Sequence, residues 1–177
     1  MITYFHVSKE KFDSGYVITK GFWGKMVREV MRGVDQNCQE CLENYNKNKS
    51  SFDYEQVFEH VRANEFPNKI SRLDCCFVFD NLDSANWFNK EYRENNANIY
   101  EVELLNPSDI LEMDFKVITD PISYSSHKEV YVNVDRNHII NKIIIEGARK
   151  YWSGYMDNKS VKEILVDGDI KLLSKVN

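Results

Sequence analysis

The stretch Ile2-Thr3-Tyr4-Phe5-His6-Val7-Ser8 alternates along its length and is mostly β-branched or aromatic, so it predicts a strand. Successive side chains of a strand point to opposite faces, which places Tyr4 and His6 on one face and Phe5 and Val7 on the other. A second short extended piece over residues 16–19 follows and ends at Gly21. We therefore expect the chain to begin with two short strands.

Two helices are predicted after these strands. From Phe22 to about Tyr45 the apolar residues recur every three or four positions, which is typical of an amphipathic helix. A polar linker over residues 44–51 leads to Asp53, which is a suitable cap for a second helix. That helix is expected to end before Phe66-Pro67.

The second half of the chain is richer in predicted strands. These cover residues 73–79 (apolar on both faces, hence central), 98–105, 111–118, 129–134 and 138–145, followed by a hairpin-like tail over 162–173 that turns at Asp167-Gly168. Short helices are predicted after a cap at Asp83 or Ser84, and around residues 148–155. Because helices come early and strands mostly late, the pattern favours an α+β fold over a doubly wound sheet.

Length and composition indicate one domain and exclude several classes of protein. The chain has 177 residues with 42% hydrophobic and 13% aromatic content, which is typical of a globular protein and not of a disordered one. No apolar run approaches the roughly 20 residues that span a bilayer, and no signal peptide follows Met1. The sequence therefore predicts a cytoplasmic protein without a membrane partner. A net charge of -5 disfavours tight duplex binding but allows a local basic groove.

The cysteines do not predict a metal site. Cys38 and Cys41 form a C-x-x-C pair, but a zinc site needs a second pair of ligands. Cys75-Cys76 is a poor second pair, because adjacent strand residues face opposite ways. Thiols packed on a helix are the favoured reading, and no metal is expected. The dinucleotide-binding G-x-G-x-x-G, the Walker A, the H-E-x-x-H and the G-x-S-x-G motifs are absent as well.

Several short motifs occur in an order that resembles one known superfamily. They are Tyr4–Ser8, Phe77–Phe79 with Asp83–Phe88, Ile99–Leu104, and Lys128–Asn133 with His138–Ile140. In order and spacing, over about residues 2–146, they resemble the poly(ADP-ribose)-polymerase-like branch of the ADP-ribosyltransferase superfamily. The resemblance implies a single domain over residues 1–177, with N-terminal helices and a split β-sheet core that grips NAD as a substrate. It also implies a glycosyltransferase-class reaction that moves ADP-ribose to a protein or nucleic acid and releases nicotinamide.

The resemblance also implies roles for individual residues. Glu129 is the expected catalytic residue, because a carboxylate near the ribose stabilises the oxocarbenium-like state in which the nicotinamide–ribose bond breaks. His6 is expected to hydrogen-bond a ribose hydroxyl, and Phe77 or Phe79 to stack on the nicotinamide. The guanidinium of Arg72 suits the pyrophosphate oxygens. The full NAD-binding set is His6, Ser8, Ser71, Arg72, Phe77 and Phe79.

Three positions depart from the superfamily pattern. Val7 replaces a glycine that contacts the carboxamide through its backbone. The tyrosine expected in the middle strand is either replaced by phenylalanine or shifted, which leaves one hydrogen-bonding hydroxyl unassigned. In arginine-specific and base-specific relatives, a Glu or Gln two residues before the catalytic Glu indicates the acceptor. This chain has His127 at that position, so its acceptor is not identified in this way. The loop over residues 120–126 is the natural segment to read the acceptor.

A closer resemblance and two alternative functions complete the expectations. The run Phe66-Pro67-x-Lys69-x-Ser71-Arg72-Leu73 resembles an uncharacterised bacterial and phage family of the same fold. By analogy with the fold, a small intracellular transferase of this kind suits a toxin, phage effector or defence protein with an antitoxin-like or regulatory partner. A non-catalytic nucleotide- or protein-binding member of the fold is the alternative that Val7 favours. RNA binding through Arg149 and Lys150 ranks last, because the net charge is negative.

Overall fold

A computed structural model describes residues 2–31, 54–119 and 136–176, with side chains over 2–29, 54–119 and 143–176. The strands are β1 (Tyr4–Ser8), β2 (Val17–Ile18), β3 (Cys76–Val78), β4 (Asn98–Leu105), β5 (Ile110–Asp114), β6 (Lys162–Val166) and β7 (Asp169–Lys175). The helices are α1 (Phe22–Met31), α2 (54–65), α3 (Leu82–Arg93), α4 (Phe115–Thr119) and α5 (Arg136–Trp152). A 3-10 turn covers Arg72–Asp74.

The described strands form two antiparallel sheets, so the α+β prediction is confirmed. The larger sheet has the order β1-β4-β7-β2 and the smaller has the order β3-β6-β5. A backbone bridge joins the two sheets, where Phe5 and Phe79 exchange two hydrogen bonds of 2.8 Å. The sheets also share a buried core that contains Val78 of β3 and Val102 of β4. Beyond that bridge β1 and β3 separate, which opens a fork between the sheets.

The predicted hairpin at Asp167-Gly168 is wrong. β6 is the middle strand of the smaller sheet, while β7 lies between β4 and β2 in the larger sheet. The backbone of Asp167 bonds to residues 108 and 109 instead, and a Cβ on Gly168 would lie 2.9 Å from the Cα of Pro107. The Asp-Gly pair correctly signals a change of direction, but the connection leads from one sheet to the other.

The predicted strand over residues 138–145 is also wrong, because these residues belong to helix α5. The buried positions of α5 come in adjacent pairs every four residues, at 143–144, 147–148 and 151–152. That spacing matches one face of a helix. The isoleucine run favours a strand locally, but its continuation through Ala148 and Trp152 completes a helical face. The predicted helix around 148–155 is the end of the same element.

Smaller differences concern the ends of two predicted strands, the position of β3 in its sheet and the cap of α3. The predicted strand 111–118 ends at Asp114 and continues as helix α4, and the strand predicted over 73–79 shortens to β3 after the 3-10 turn. β3 lies at the edge of the smaller sheet, not at its centre. Asn81, not Asp83 or Ser84, caps α3, since its side chain accepts a 2.8 Å hydrogen bond from the Ser84 N–H.

The predictions for β1, β2, β4 and α2 are confirmed. The predicted continuation of α1 to Tyr45, the cap at Asp53 and the strand 129–134 lie outside the described residues. Across the described ranges, no helix is long and apolar enough to cross a membrane.

Candidate functional site

A cleft of about 210 Å³ lies beside the fork between the two sheets. Its lining comes from four neighbouring parts of the chain. β1 and the segment after it contribute His6, Ser8, Glu10 and Phe12; the β2 region contributes residues 16–19; α1 contributes Phe22 and Trp23; and β3 with the residue before it contributes Cys75, Cys76 and Phe77.

The side chain of His6 occupies the start of the fork. The next hydrogen-bonded pair of an antiparallel ladder after Phe5 and Phe79 would join Val7 to Phe77. Instead, the Phe77 carbonyl accepts a 2.9 Å hydrogen bond from Nδ1 of His6. The imidazole thus replaces a backbone donor where the two strands separate.

This contact assigns different roles to the two ring nitrogens of His6. A carbonyl oxygen only accepts, so Nδ1 carries the proton. Burial lowers the pKa of His6, the bond to Phe77 partly opposes that effect, and the positive charge of Arg93 lowers the pKa further. The ring is therefore neutral at pH 7, and Nε2 keeps a lone pair. Since His6 lines the cleft, Nε2 is able to accept a hydrogen bond from a hydroxyl group there.

The segment after β1 is held over the cleft by the paired strand β4. Tyr100, which lies opposite His6 in the β1–β4 register, accepts a 3.0 Å hydrogen bond from the Phe12 N–H. The carbonyl of Glu10 accepts hydrogen bonds from Asn98 Nδ2 at 3.1 Å and from the Tyr100 hydroxyl at 3.4 Å. These contacts fix Glu10 and Phe12 at the rim.

Aromatic side chains dominate the walls of the cleft. Phe12 and Tyr16 stack with ring centroids 4.6 Å apart. Tyr16 and Phe22 are about half exposed, at 50% and 57%. Aromatic surface of this kind, accessible at the mouth of a cleft, suits the face of a planar ring.

Beneath the cleft lies a buried group that we call the Arg72 cluster: Glu55, Arg72, Tyr151 and Glu163. Nε of Arg72 donates to both carboxylate oxygens of Glu55 at 3.1 Å, and Nη1 donates to the Tyr151 hydroxyl at 2.5 Å and to Glu163. Burial acts to lower the pKa of Arg72, but the two carboxylates outweigh it and hold that pKa above its usual range. Burial raises the pKa of Glu163, which the attraction of Arg72 only partly offsets.

The Arg72 cluster contacts two walls of the cleft. The guanidinium carbon of Arg72 lies 4.6 Å from the centroid of the Phe77 ring. Nε1 of Trp23 donates a 3.0 Å hydrogen bond to Glu55. The cluster therefore fixes Phe77 and Trp23 from behind.

The structure brings three of the sequence-predicted site residues together and places three elsewhere. His6, Ser8 and Phe77 line the cleft. Arg72 is bound to its buried partners, and Ser71 donates to Glu59 at 2.8 Å while capping the 3-10 turn. Phe79 is buried in a separate core cluster, with its ring 5.4 Å from that of Phe88. Glu129, His127, Cys38 and Cys41 lie outside the described residues.

Sequence reasoning missed most of the aromatic wall and the acidic residue at the rim. Phe12, Tyr16, Phe22 and Trp23 belong to segments whose closeness to β3 depends on long-range contacts. Glu10 is one of many exposed acids in the sequence. The only local signal was the unusual density of aromatic residues over residues 12–23.

Fold and site together define a mixed α+β protein with two antiparallel sheets and an aromatic cleft at their junction. The chain belongs to the family described as "Protein of unknown function (DUF2441)", which matches residues 2–177. A comparison with curated proteins found no match.

Proposed function

We propose that the protein binds NAD in the cleft and transfers its ADP-ribose to a macromolecular acceptor. The observation that carries this proposal is the meeting of His6, Ser8 and Phe77 in one cleft at the point where the sheets separate. Phe77 lies 71 positions after His6 in the sequence, and the superfamily resemblance assigns His6, Ser8 and Phe77 to NAD.

The size of the cleft suits one end of the substrate. Ligand sites for drug-sized molecules usually measure about 300–1,000 Å³, and this cleft measures about 210 Å³. It therefore accommodates the nicotinamide and the adjoining ribose, while the adenosine half extends beyond it. In this pose Phe77 contacts the ring face, and Nε2 of His6 accepts a hydrogen bond from a ribose hydroxyl.

The reaction breaks the bond between C1′ of the ribose and the nicotinamide nitrogen. The bonding electrons leave with nicotinamide, which becomes neutral, and an acceptor nucleophile bonds to C1′ and loses its proton. The positive charge that develops on the ribose needs a nearby carboxylate. We assign this role to Glu129.

A pyrophosphate contact by Arg72 is not part of the proposal, since its donors are bound to Glu55, Tyr151 and Glu163. No lysine or arginine is found among the described lining residues of the cleft. This observation favours a second candidate, a non-catalytic module of the same fold that binds a nucleotide or a protein.

Release of nicotinamide from labelled NAD, in the presence of a cell lysate as the source of acceptors, tests the proposal. We expect release and labelling by the wild type, and a loss of at least about 10²-fold in Glu129→Gln, the usual effect of removing one electrostatic stabiliser of the transition state. Glu103→Gln, an exposed carboxylate on β4, serves as the matched control. Absence of release by the wild type would favour the non-catalytic module.

A further inference from the structure

The charged groups near the cleft include Glu10 in its lining and Arg93, whose positive charge acts on His6. Glu10 lies at the rim, and no cation pairs with its carboxylate in the part of the chain that the structure describes. Lys9 and Lys11 flank it in sequence but do not line the cleft. His6 is neutral for the reasons given above.

The wall behind Phe77 adds no positive charge. The Arg72 cluster holds two carboxylates against one guanidinium, at 6% or less side-chain exposure for all three residues. With both carboxylates ionised the cluster carries a net negative charge, and with Glu163 protonated it is neutral. A ring stacked on Phe77 therefore meets no excess positive charge from below.

The aromatic lining of the cleft also attracts positively charged ligands. The faces of Trp, Tyr and Phe rings attract a positive charge within about 6 Å, and aromatic cages bind quaternary ammonium groups in this way. Phe12, Tyr16, Phe22 and Trp23 line the cleft together with Glu10, and Phe12 and Tyr16 each turn one face to the other. A planar ring gains contact area from them whatever its charge, so charge selection is a separate effect.

We propose that the cleft selects a positively charged planar ring, an N-alkylated pyridinium, over its neutral counterpart, and that Glu10 is the residue that determines this preference. The inference rests on the proposed function, because the oxidised nicotinamide of NAD is such a ring. It adds that free nicotinamide, which is neutral, binds more weakly, so that the product leaves the cleft readily.

Small ring compounds test this without NAD turnover. The full-length protein is titrated by NMR or calorimetry with 1-methylnicotinamide (planar cation), nicotinamide (planar neutral) and tetramethylammonium (non-planar cation). We expect 1-methylnicotinamide to bind about fivefold or more tighter than nicotinamide, the order of one cation–π contact with a nearby carboxylate. We also expect tetramethylammonium to bind more weakly than 1-methylnicotinamide.

Glu10→Gln keeps the shape of the side chain and removes its charge, and Glu103→Gln is the control outside the cleft. Circular dichroism and thermal unfolding verify that each variant folds. The ratio of the two ring affinities is expected to fall towards one in Glu10→Gln and to stay at the wild-type value in the control. An unchanged ratio in Glu10→Gln, tighter binding of nicotinamide, or no binding of any compound would overturn the inference.

Tetramethylammonium binding as tightly as 1-methylnicotinamide would also overturn it, in favour of an alkylammonium site. The nicotinamide-release assay separates this inference from the proposed function. Charge preference without release leaves the inference standing and the transferase reaction unsupported. Release without charge preference supports the transferase reaction and overturns the inference about ring charge.

Discussion

At the scale of single residues, the two ring nitrogens of His6 lie in different surroundings. Nδ1 donates to the Phe77 carbonyl at 2.9 Å, while the ring also lines the cleft. The sequence predicted a ribose contact through either nitrogen. Because Nδ1 is bonded to Phe77, the proposed contact falls to Nε2 as an acceptor. The two nitrogens differ because β1 and β3 separate after the Phe5–Phe79 bridge. No local sequence pattern predicts that separation.

The lowered pKa of His6 predicts a pH dependence of stability. The pKa falls below its ordinary value of 6.5 in the folded protein, so the unfolded chain binds more protons between the two values. This contribution to the free energy of unfolding is present above about pH 6.5 and is lost as the pH falls towards the folded pKa. We expect His6→Asn, whose amide can still donate to Phe77, to flatten this part of the profile. Urea unfolding from about pH 5 to about pH 8 measures it.

The matched control for this prediction is His60→Asn on the exposed side of α2. It should leave the pH profile of the wild type unchanged. Identical profiles for His6→Asn and the wild type would show that His6 does not titrate abnormally.

At the scale of elements, α1 sits directly on the 3-10 turn. A Cβ on Gly24 would lie 1.7 Å from the carbonyl oxygen of Leu73, so the backbones of the two elements are in contact. Because α1 begins with Phe22 and Trp23, this contact sets the position of one wall of the cleft.

We expect Gly24→Ala to push α1 away from the 3-10 turn. The predicted cost is about 1–3 kcal/mol in the free energy of unfolding, as in other overpacked sites. Affinity for any ring ligand of the cleft should fall as well. Lys25→Ala, at the neighbouring exposed position, is the control for both denaturant unfolding and ligand titration. Wild-type stability of Gly24→Ala would contradict the close packing.

The elements also show what could be predicted from the sequence. The strands β1 and β4 and the helix α2 were predicted correctly, because runs of β-branched and aromatic residues and helical spacing are local patterns. The isoleucines of α5 were misread, since their β-branched character favours a strand and only the later positions up to Trp152 reveal the helical face. The strands that pair with β6 and β7 lie about 50 to 150 positions earlier in the chain, beyond the reach of a turn motif.

At the scale of the whole molecule, the Arg72 cluster joins four elements: α2 through Glu55, the 3-10 turn through Arg72, α5 through Tyr151 and β6 through Glu163. Every buried polar side-chain atom of the described residues has a hydrogen-bond partner. Removing one member of the Arg72 cluster therefore leaves its buried partners without a hydrogen bond or a counter-charge.

We expect Arg72→Met to destabilise the protein by about 3–5 kcal/mol, because two buried carboxylates lose their cation. Arg149→Met is the matched control: Arg149 pairs with Glu65 at 2.7 Å, but both side chains are exposed. An exposed pair contributes about 0–1 kcal/mol. Chemical denaturation of both variants measures the difference, and equal losses would contradict a structural role specific to the Arg72 cluster.

NAD is proposed to bind in the cleft at the sheet junction through the neutral ring of His6, and calorimetric titration with NAD tests this most directly. We expect the wild type to bind with a dissociation constant between about 1 μM and 1 mM, the usual range for enzyme substrates. In His6→Asn, which keeps the donor to Phe77 and loses Nε2, the affinity should fall by about tenfold, the effect of one hydrogen bond. Absence of wild-type binding at millimolar NAD, or equal affinity in His6→Asn, would contradict the account.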